Sequence, residues 1–298
     1  MRGWAIGVLA AVVAIAAGCG GSSSRAAEPL RVLVTNDDGV AAPGIAALVQ
    51  ALQTDQGLAV TVSAPALNQS GSGDQVTTGP LRVVTTMTAN GYAATAVFGY
   101  PADSVLFALL GPVPAEPDLI VSGINAGQNI GEFVYLSGTV GAARWGARHG
   151  IPAIALSQGL PATNYDAIAS YAAELVSRFR SDAHFRRLLV PPDSATARIL
   201  NVNFPTCASG AQRGIVVVPM GRSSQVVGYD FVSTNGEETT YQPSVESTNP
   251  FASNCTSTLT DPTDDVAALT NGFATLTPLT PDLSLDSDLQ QFDFLTKL

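Results

Sequence analysis

Positive charge is what this chain has least of. Among 298 residues only 14 are lysine or arginine, against 24 aspartates and glutamates, giving a formal net charge of −10, and Lys297 is the single lysine. The arginines are scattered, so no basic stripe can follow a nucleic-acid backbone, and a nucleic-acid polymer is not an expected partner. Histidine is nearly as scarce. His149 and His184 lie far apart, no Cys-x-x-Cys spacing exists among three cysteines, and a zinc site of the usual kind is excluded. No lysine follows a glycine-rich turn, which removes the P-loop, and no Gly-x-Ser-x-Gly elbow occurs, which removes the common serine hydrolase. His149 sits at the end of a helical pattern beside Arg148, where a cation is favourable without any catalytic role, and His184 beside Arg186 and Arg187 reads as surface. The uncharged apolar run Trp4 to Ala17 has 14 residues, too few to span a bilayer comfortably.

That run has another use. With Arg2 before it, it has the form of a secretory leader. Ala16-Ala17-Gly18-Cys19 then resembles the lipobox of bacterial lipoproteins, with Cys19 as the lipidated residue, although Ala16 stands where leucine is usual. Ordinary cleavage after Ser24-Arg25-Ala26 is the alternative. Either way residues 1–27 are read as signal and small-residue linker, and residues 28–298 as the folded part. The expected location is therefore periplasmic or at the cell surface, touching membrane only through Cys19, or else secreted. In an oxidising compartment Cys207 and Cys255 form an even pair, and a disulfide is expected rather than two isolated thiols.

With 46% hydrophobic and 13% charged residues, the remainder can build a large apolar core. Its first half alternates short β-branched runs with helical patterns: strands at Leu30–Thr35, Leu58–Ala64, Pro117–Ser122 and Pro152–Ser157, helices at Pro43–Leu52, Pro101–Leu110, Ser137–Gly150 and Tyr165–Arg180. Leu81–Thr86 and Tyr92–Phe98 read as an antiparallel pair turning at Asn90-Gly91. This predicts an α/β fold with a mostly parallel sheet, helices on both faces, and right-handed crossovers. From Ile199 the pattern loosens. Gly214–Val218, Thr239–Tyr241 and Gly272–Leu276 read as strands, Asp264–Thr270 as a helix, and the end as a short helix from Asp286. No repeat or interdomain linker is present, so one domain with a β-rich C-terminal elaboration is expected.

Asn36-Asp37-Asp38-Gly39 follows the first strand directly. Adjacent carboxylates at the C-terminal end of a parallel strand repel each other unless a cation or protons neutralise them, and that end of the sheet is where ligands bind in open α/β folds. The competing reading is that one aspartate caps the following helix. Ser70, in the long polar loop Pro65–Pro80, and Asn125, after the third major strand, fall at equivalent places. Carboxylate, hydroxyl and amide oxygens suit Mg²⁺, Mn²⁺ or Ca²⁺. Ser137-Gly138-Thr139 opens a helix whose free amides would hold an anion, unless Ser137 serves simply as the cap.

These residues resemble the SurE survival-protein nucleotidases. The likeness rests on Val34-Thr35-Asn36-Asp37-Asp38-Gly39 with Ala42-Pro43-Gly44-Ile45, on Asn68-Gln69-Ser70-Gly71, and on Pro117 to Gly127 continuing to Ser137-Gly138-Thr139-Val140. Leu200-Asn201-Val202-Asn203-Phe204-Pro205, Thr263-Asp264-Asp265 and Gly272 to Leu279 extend it over roughly residues 30 to 298. The resemblance implies a Rossmann-like core, a hairpin exchanged between subunits of a homodimer or homotetramer, and metal-dependent hydrolysis of nucleoside 5′- and 3′-monophosphates. It places one Mg²⁺ or Mn²⁺ per subunit on Asp37, Asp38, Ser70 and Asn125, makes Asp37, Asp38 and Asn125 catalytic, and adds Asn68, Asn129, Ser137, Gly138 and Thr139 as phosphate or substrate contacts. Ala66, Gln69 and Phe133 depart from the family pattern, which usually has an Asp-Arg pair before the serine and often two acidic residues in the later turn. Two alternatives stay open: a broad-specificity exported acid phosphatase, and a non-catalytic ligand-binding surface lipoprotein.

Overall fold

The computed structural model describes residues 28–222, 226–245, 253–283 and 289–298; Cys19 and the leader lie outside them. Among the described residues thirteen strands and six α-helices follow in the order β1 Leu30–Thr35, α1 Pro43–Leu52, β2 Leu58–Pro65, β3 Val83–Met87, β4 Ala93–Val97, α2 Pro101–Leu110, β5 Leu119–Ala126, α3 Gly138–Arg148, β6 Ala153–Gln158, α4 Asp166–Ser181, α5 Ala183–Leu189, β7 Ile199–Phe204, β8 Cys207–Gly210, β9 Ile215–Val217, β10 Val226–Asn235, β11 Glu238–Val245, β12 Ser253–Cys255, α6 Asp265–Thr270 and β13 Ala274–Leu279. Short 3-10 segments occupy Gly131–Tyr135 and Leu289–Lys297.

Nine strands form one sheet in the order β3-β4-β2-β1-β5-β6-β7-β13-β9. From β4 through β7 all neighbours are parallel, and β3 and β13 run antiparallel to β4 and β7. Helices cover both faces because the central strands are apolar on both, as buried parallel strands must be. Val32, Val34, Leu48, Ile168 and Leu175 fill the α1–α4 side, while Leu33, Ile120, Ala153, Val140 and Ala143 fill the α2–α3 side.

The register on the α3 side explains where a site can sit. Leu33, Ile120, Ala153, Ile199 and Leu279 pair in sequence across five strands, making an apolar row. Two residues on in the four parallel strands, and two residues back in the antiparallel β13, the row becomes Thr35, Ser122, Ala155, Asn201 and Thr277. Period-two alternation keeps both rows on one face. The face thus turns from hydrocarbon to polar as it approaches the C-terminal rim.

Several expectations shift. The third major strand starts later and runs on to Ala126, delivering Asn125 on the strand itself rather than after it. The strand expected at Gly272–Leu276 is β13, inserted into the main sheet beside β7 instead of belonging to a separate elaboration. Helix α5 had no separate expectation because only seven residues form it. Asp286 lies outside the described residues, and the terminal helical segment there begins at Leu289. Cys207 and Cys255 are joined by a disulfide that ties β8 to its parallel partner β12, with a Cα–Cα separation of 5.6 Å. Strands β10 and β11 form a separate two-stranded ribbon.

Candidate functional site

The turn after β1 is built to aim side chains at the rim. Asn36 is fully buried and donates from Nδ2 to the Gly39 carbonyl at 2.9 Å, closing the turn. Gly39 adopts φ +102°, and a Cβ there would stand 3.1 Å from the Leu67 carbonyl carbon, so only glycine lets the β2 loop approach. Helix α1 begins with Pro43 at its first turn and Ala42 as its cap, and no side chain caps it. Neither aspartate is therefore a helix cap.

Asp37 is buried, and its Oδ1 accepts a 2.7 Å hydrogen bond from the Thr139 hydroxyl. Gly138 allows this approach, since a Cβ there would lie 2.8 Å from Asp37 Cβ and 2.9 Å from Ser72 Oγ. Loss of hydration pushes the Asp37 carboxyl up to about 6; the bond from Thr139 opposes that rise, and the negative charge of Asp38 adds to it. Asp38 is half-buried. Its Oδ2 accepts from the Ala126 amide at 2.9 Å and its Oδ1 from Asn68 Nδ2 at 3.3 Å. Burial raises its pKa too, and those two donors hold the rise in check.

The β2 loop is fastened to the same turn. Gln69 donates its amide to the Asp37 carbonyl at 2.7 Å, and Asn68 Oδ1 accepts the Ser70 amide at 2.8 Å. Asn68 thus links Asp38 to Ser70, which is exposed. Asn125, one residue before the amide that holds Asp38, donates from Nδ2 to the Gly127 carbonyl at 2.6 Å, and its Oδ1 has no hydrogen bond among the described residues. The structure therefore gathers Asp37, Asp38, Asn68, Ser70, Asn125 and Thr139 at one end of the sheet.

Two expected contacts read differently. Ser137 accepts the Val140 amide at 3.0 Å and is the N-cap of α3, so its hydroxyl is engaged with the helix. Asn129 is built into the interior: its Nδ2 donates to Ser157 Oγ at 2.9 Å instead of projecting toward a substrate.

The donor set fits a hard divalent cation. Among the described residues neither Asp37 nor Asp38 forms an ion pair, so no cationic side chain offsets their adjacent charges. The buried Ser72 Oγ beside Asp37, and Asn36 Oδ1 in the residue before it, have no hydrogen-bond partner among the described residues. Among the described residues no group of three or more His, Cys, Asp and Glu assembles. Two carboxylates completed by neutral oxygens are left, a set suited to Mg²⁺ or Mn²⁺ rather than zinc.

Tyr165 escaped the sequence reading. It stands at the start of α4, with its ring edge against Gly44. Burial and the nearby Asp38 charge both raise its phenol pKa, which keeps the phenol protonated. A lone tyrosine before a helix carries no signal in sequence; only the fold brings it to Asp38.

A mostly parallel sheet with helices on both faces, bearing two adjacent aspartates at its rim beside the α3 amino terminus, defines an α/β protein of Rossmann-like architecture. More narrowly, it belongs to the survival protein SurE family, whose profile matches residues 32–226. It is similar to the SurE protein from Aquifex aeolicus, known from a crystal structure: 30% identity, 89% of this chain and 99% of that chain covered, and a TM-score of 0.68.

Proposed function

We propose that the protein hydrolyses phosphate monoesters with the help of one Mg²⁺ or Mn²⁺, and that nucleoside 5′- and 3′-monophosphates are its substrates. The observation that carries this reading is the pair Asp37 and Asp38, close together at the sheet rim with no cationic side chain among the described residues to neutralise them. Asp37, Asp38, Ser70 and Asn125 would hold the cation. When bound, such an ion supplies positive charge to phosphoryl oxygens and makes water more acidic.

The chain's own residues divide the remaining work. Thr139 fixes Asp37 through Oδ1, and the Ala126 amide and Asn68 fix both oxygens of Asp38. Asp38 is the more accessible carboxylate and is the group we assign to accept a proton from the attacking water. The amino end of α3, with Gly138 and Thr139 at its first turn, contributes roughly half a positive charge toward the equatorial oxygens of the phosphoryl group.

We further propose export, anchoring through Cys19, and association into a homodimer or homotetramer through the β10–β11 ribbon. That ribbon exposes Tyr229, Phe231, Val232 and Tyr241, and an isolated two-stranded hairpin is marginal on its own. A broad-specificity exported phosphatase is the second reading, and the departures at Ala66, Gln69 and Phe133 favour a third, a non-catalytic ligand-binding surface lipoprotein. Phosphate release from nucleotides, sugar phosphates and phenyl phosphate, measured with Mg²⁺, Mn²⁺ or chelator, separates the three. Release that chelator does not reduce refutes the metal-dependent reading, and equal turnover on all substrates refutes the nucleotidase.

A further inference from the structure

Between β5 and α3 the chain runs from Gly127 to Ser137 with Asn125 just before it and Thr139 just after. These residues belong to no strand, yet most of them are buried, so their backbone groups need partners elsewhere. At Asn129 the partners are side chains from β7. Its amide donates to Asn203 Oδ1 at 2.7 Å, while Asn203 Nδ2 donates back to its carbonyl at 3.2 Å and Asn201 Nδ2 donates to the same carbonyl at 2.8 Å. A carboxamide carries donor and acceptor side by side, as a peptide unit does. Asn203 therefore does for residue 129 what a neighbouring strand does in a hydrogen-bonded antiparallel pair. Two residues further on, the Gly131 amide donates to both oxygens of Asp265 at 3.1 Å, and Asp265 Oδ1 also accepts the Gly221 amide at 2.7 Å.

Asn201, Asn203 and Asp265 are all fully buried. Burying three such groups is expensive, and aliphatic residues would fill the same volume without that cost; Asn203 and Asp265 are bonded through both side-chain heteroatoms, whereas Asn201 uses Nδ2 and its Oδ1 has no partner among the described residues. The register sharpens the point. Asn203 pairs with Ser157 on β6 and with Thr275 on β13, so the polar row lies directly beneath the segment it holds.

We propose that Asn203, assisted by Asn201 and Asp265, is a positioning residue for the reaction: it sets the segment 127–137 so that Asn125 at one end and the α3 amino terminus at the other face Asp37 and Asp38. The proposal rests on the phosphatase reading above. A displacement of about 1 Å at a reacting group costs on the order of 100-fold in rate, so this fastening acts on turnover more than on folding.

The test uses Asn203→Ala, Asn203→Asp and Asp265→Asn in the full folded domain. Asn203→Asp keeps the acceptor for the Asn129 amide and replaces the donor to its carbonyl by a second oxygen. Both Asn203 variants are expected to lose at least tenfold in kcat and to weaken directly titrated Mn²⁺ binding by at least threefold, because Asn125 and the α3 amino terminus are the groups that the segment places. Amide exchange over residues 127–137 is expected to accelerate at least tenfold while β1, β2 and α1 keep parental protection. Should Asn203→Ala fail to fold, Asp265→Asn decides with the same readouts, because it preserves shape and removes one acceptor from the Gly131 amide. A kcat within twofold of the parent, or unchanged exchange in this segment, overturns the proposal. A parent protein releasing no phosphate with any metal ends the phosphatase reading instead, and the exchange measurement still decides whether Asn203 holds the segment.

Discussion

Asp37 and Asp38 are neighbours in sequence with different surroundings. Asp37 is sealed against Thr139 and Gly138, whereas Asp38 is half-open and held by Ala126 and Asn68. Asp38→Asn is expected to lower metal-dependent phosphate release by at least 100-fold while moving Tm by no more than about 2 °C, since relieving like-charge repulsion offsets the lost hydrogen bonds. Activity near the parental level in that variant sinks the proton-accepting role. Thr139→Val removes the one hydroxyl bond to Asp37 and leaves a buried carboxylate under-satisfied. The expected result is a drop of about tenfold in kcat, with weaker Mn²⁺ binding by calorimetry; unchanged binding would show that Thr139 does not orient a ligand. At this scale the sequence was informative about which residue types mattered and silent about their partners. The aspartate pair was legible because adjacent carboxylates after a strand are unusual. The side-chain partners of Asn129 and Ser137 were not legible, because a hydroxyl or amide in a loop looks alike whether it meets substrate, a helix amide or Ser157.

Elements were legible where their periodicity was long and closed by turn chemistry. Helix α1 with proline at its start, α2 from Pro101, and the antiparallel β3–β4 pair joined through Asn90-Gly91 all follow from local rules. Strand β13 was recognised as a strand but not as a member of the main sheet. Its antiparallel place beside β7 depends on residues more than 70 positions away, to which local propensity is blind. The disulfide belongs to this scale as well. Cys207 and Cys255 close a loop with a sequence separation of 48, and in the chain-entropy view such a link is worth about 4 kcal/mol. The double variant Cys207→Ala/Cys255→Ala is expected to lower the urea midpoint accordingly while leaving kcat within twofold, since β8 and β12 form a two-stranded sheet separate from the nine-stranded one that carries the rim. A large loss of activity at unchanged stability would contradict this division.

The whole molecule responds to pH through two buried carboxyls. Asp37 and Asp265 are both pushed up to about 6 from an ordinary value of 3.8, chiefly by loss of hydration. A folded-state pKa above the unfolded one means that the folded form binds the proton more tightly. The associated stability is complete below about pH 4 and disappears as pH rises through about 6. Each group contributes roughly 3 kcal/mol by this linkage. In chelator, therefore, the urea midpoint is expected to fall between pH 4.5 and 7, and Mn²⁺ should restore it at pH 7 by favouring ionised Asp37. Asp265→Asn should remove a share of the slope that Mn²⁺ does not touch. A midpoint independent of pH across that window would show that neither group is buried as described.

Sequence alone determined the parallel α/β architecture and the aspartate pair at its rim, because alternation, turn residues and charge repulsion act over a few neighbouring positions. Only the tertiary structure decided that Thr139, Asn68 and the Ala126 amide orient those aspartates, and that Asn203 and Asp265 hold the intervening segment from 74 and 134 residues away. Those contacts arise from strand order and register across the sheet, which sequence spacing does not encode in any short-range pattern.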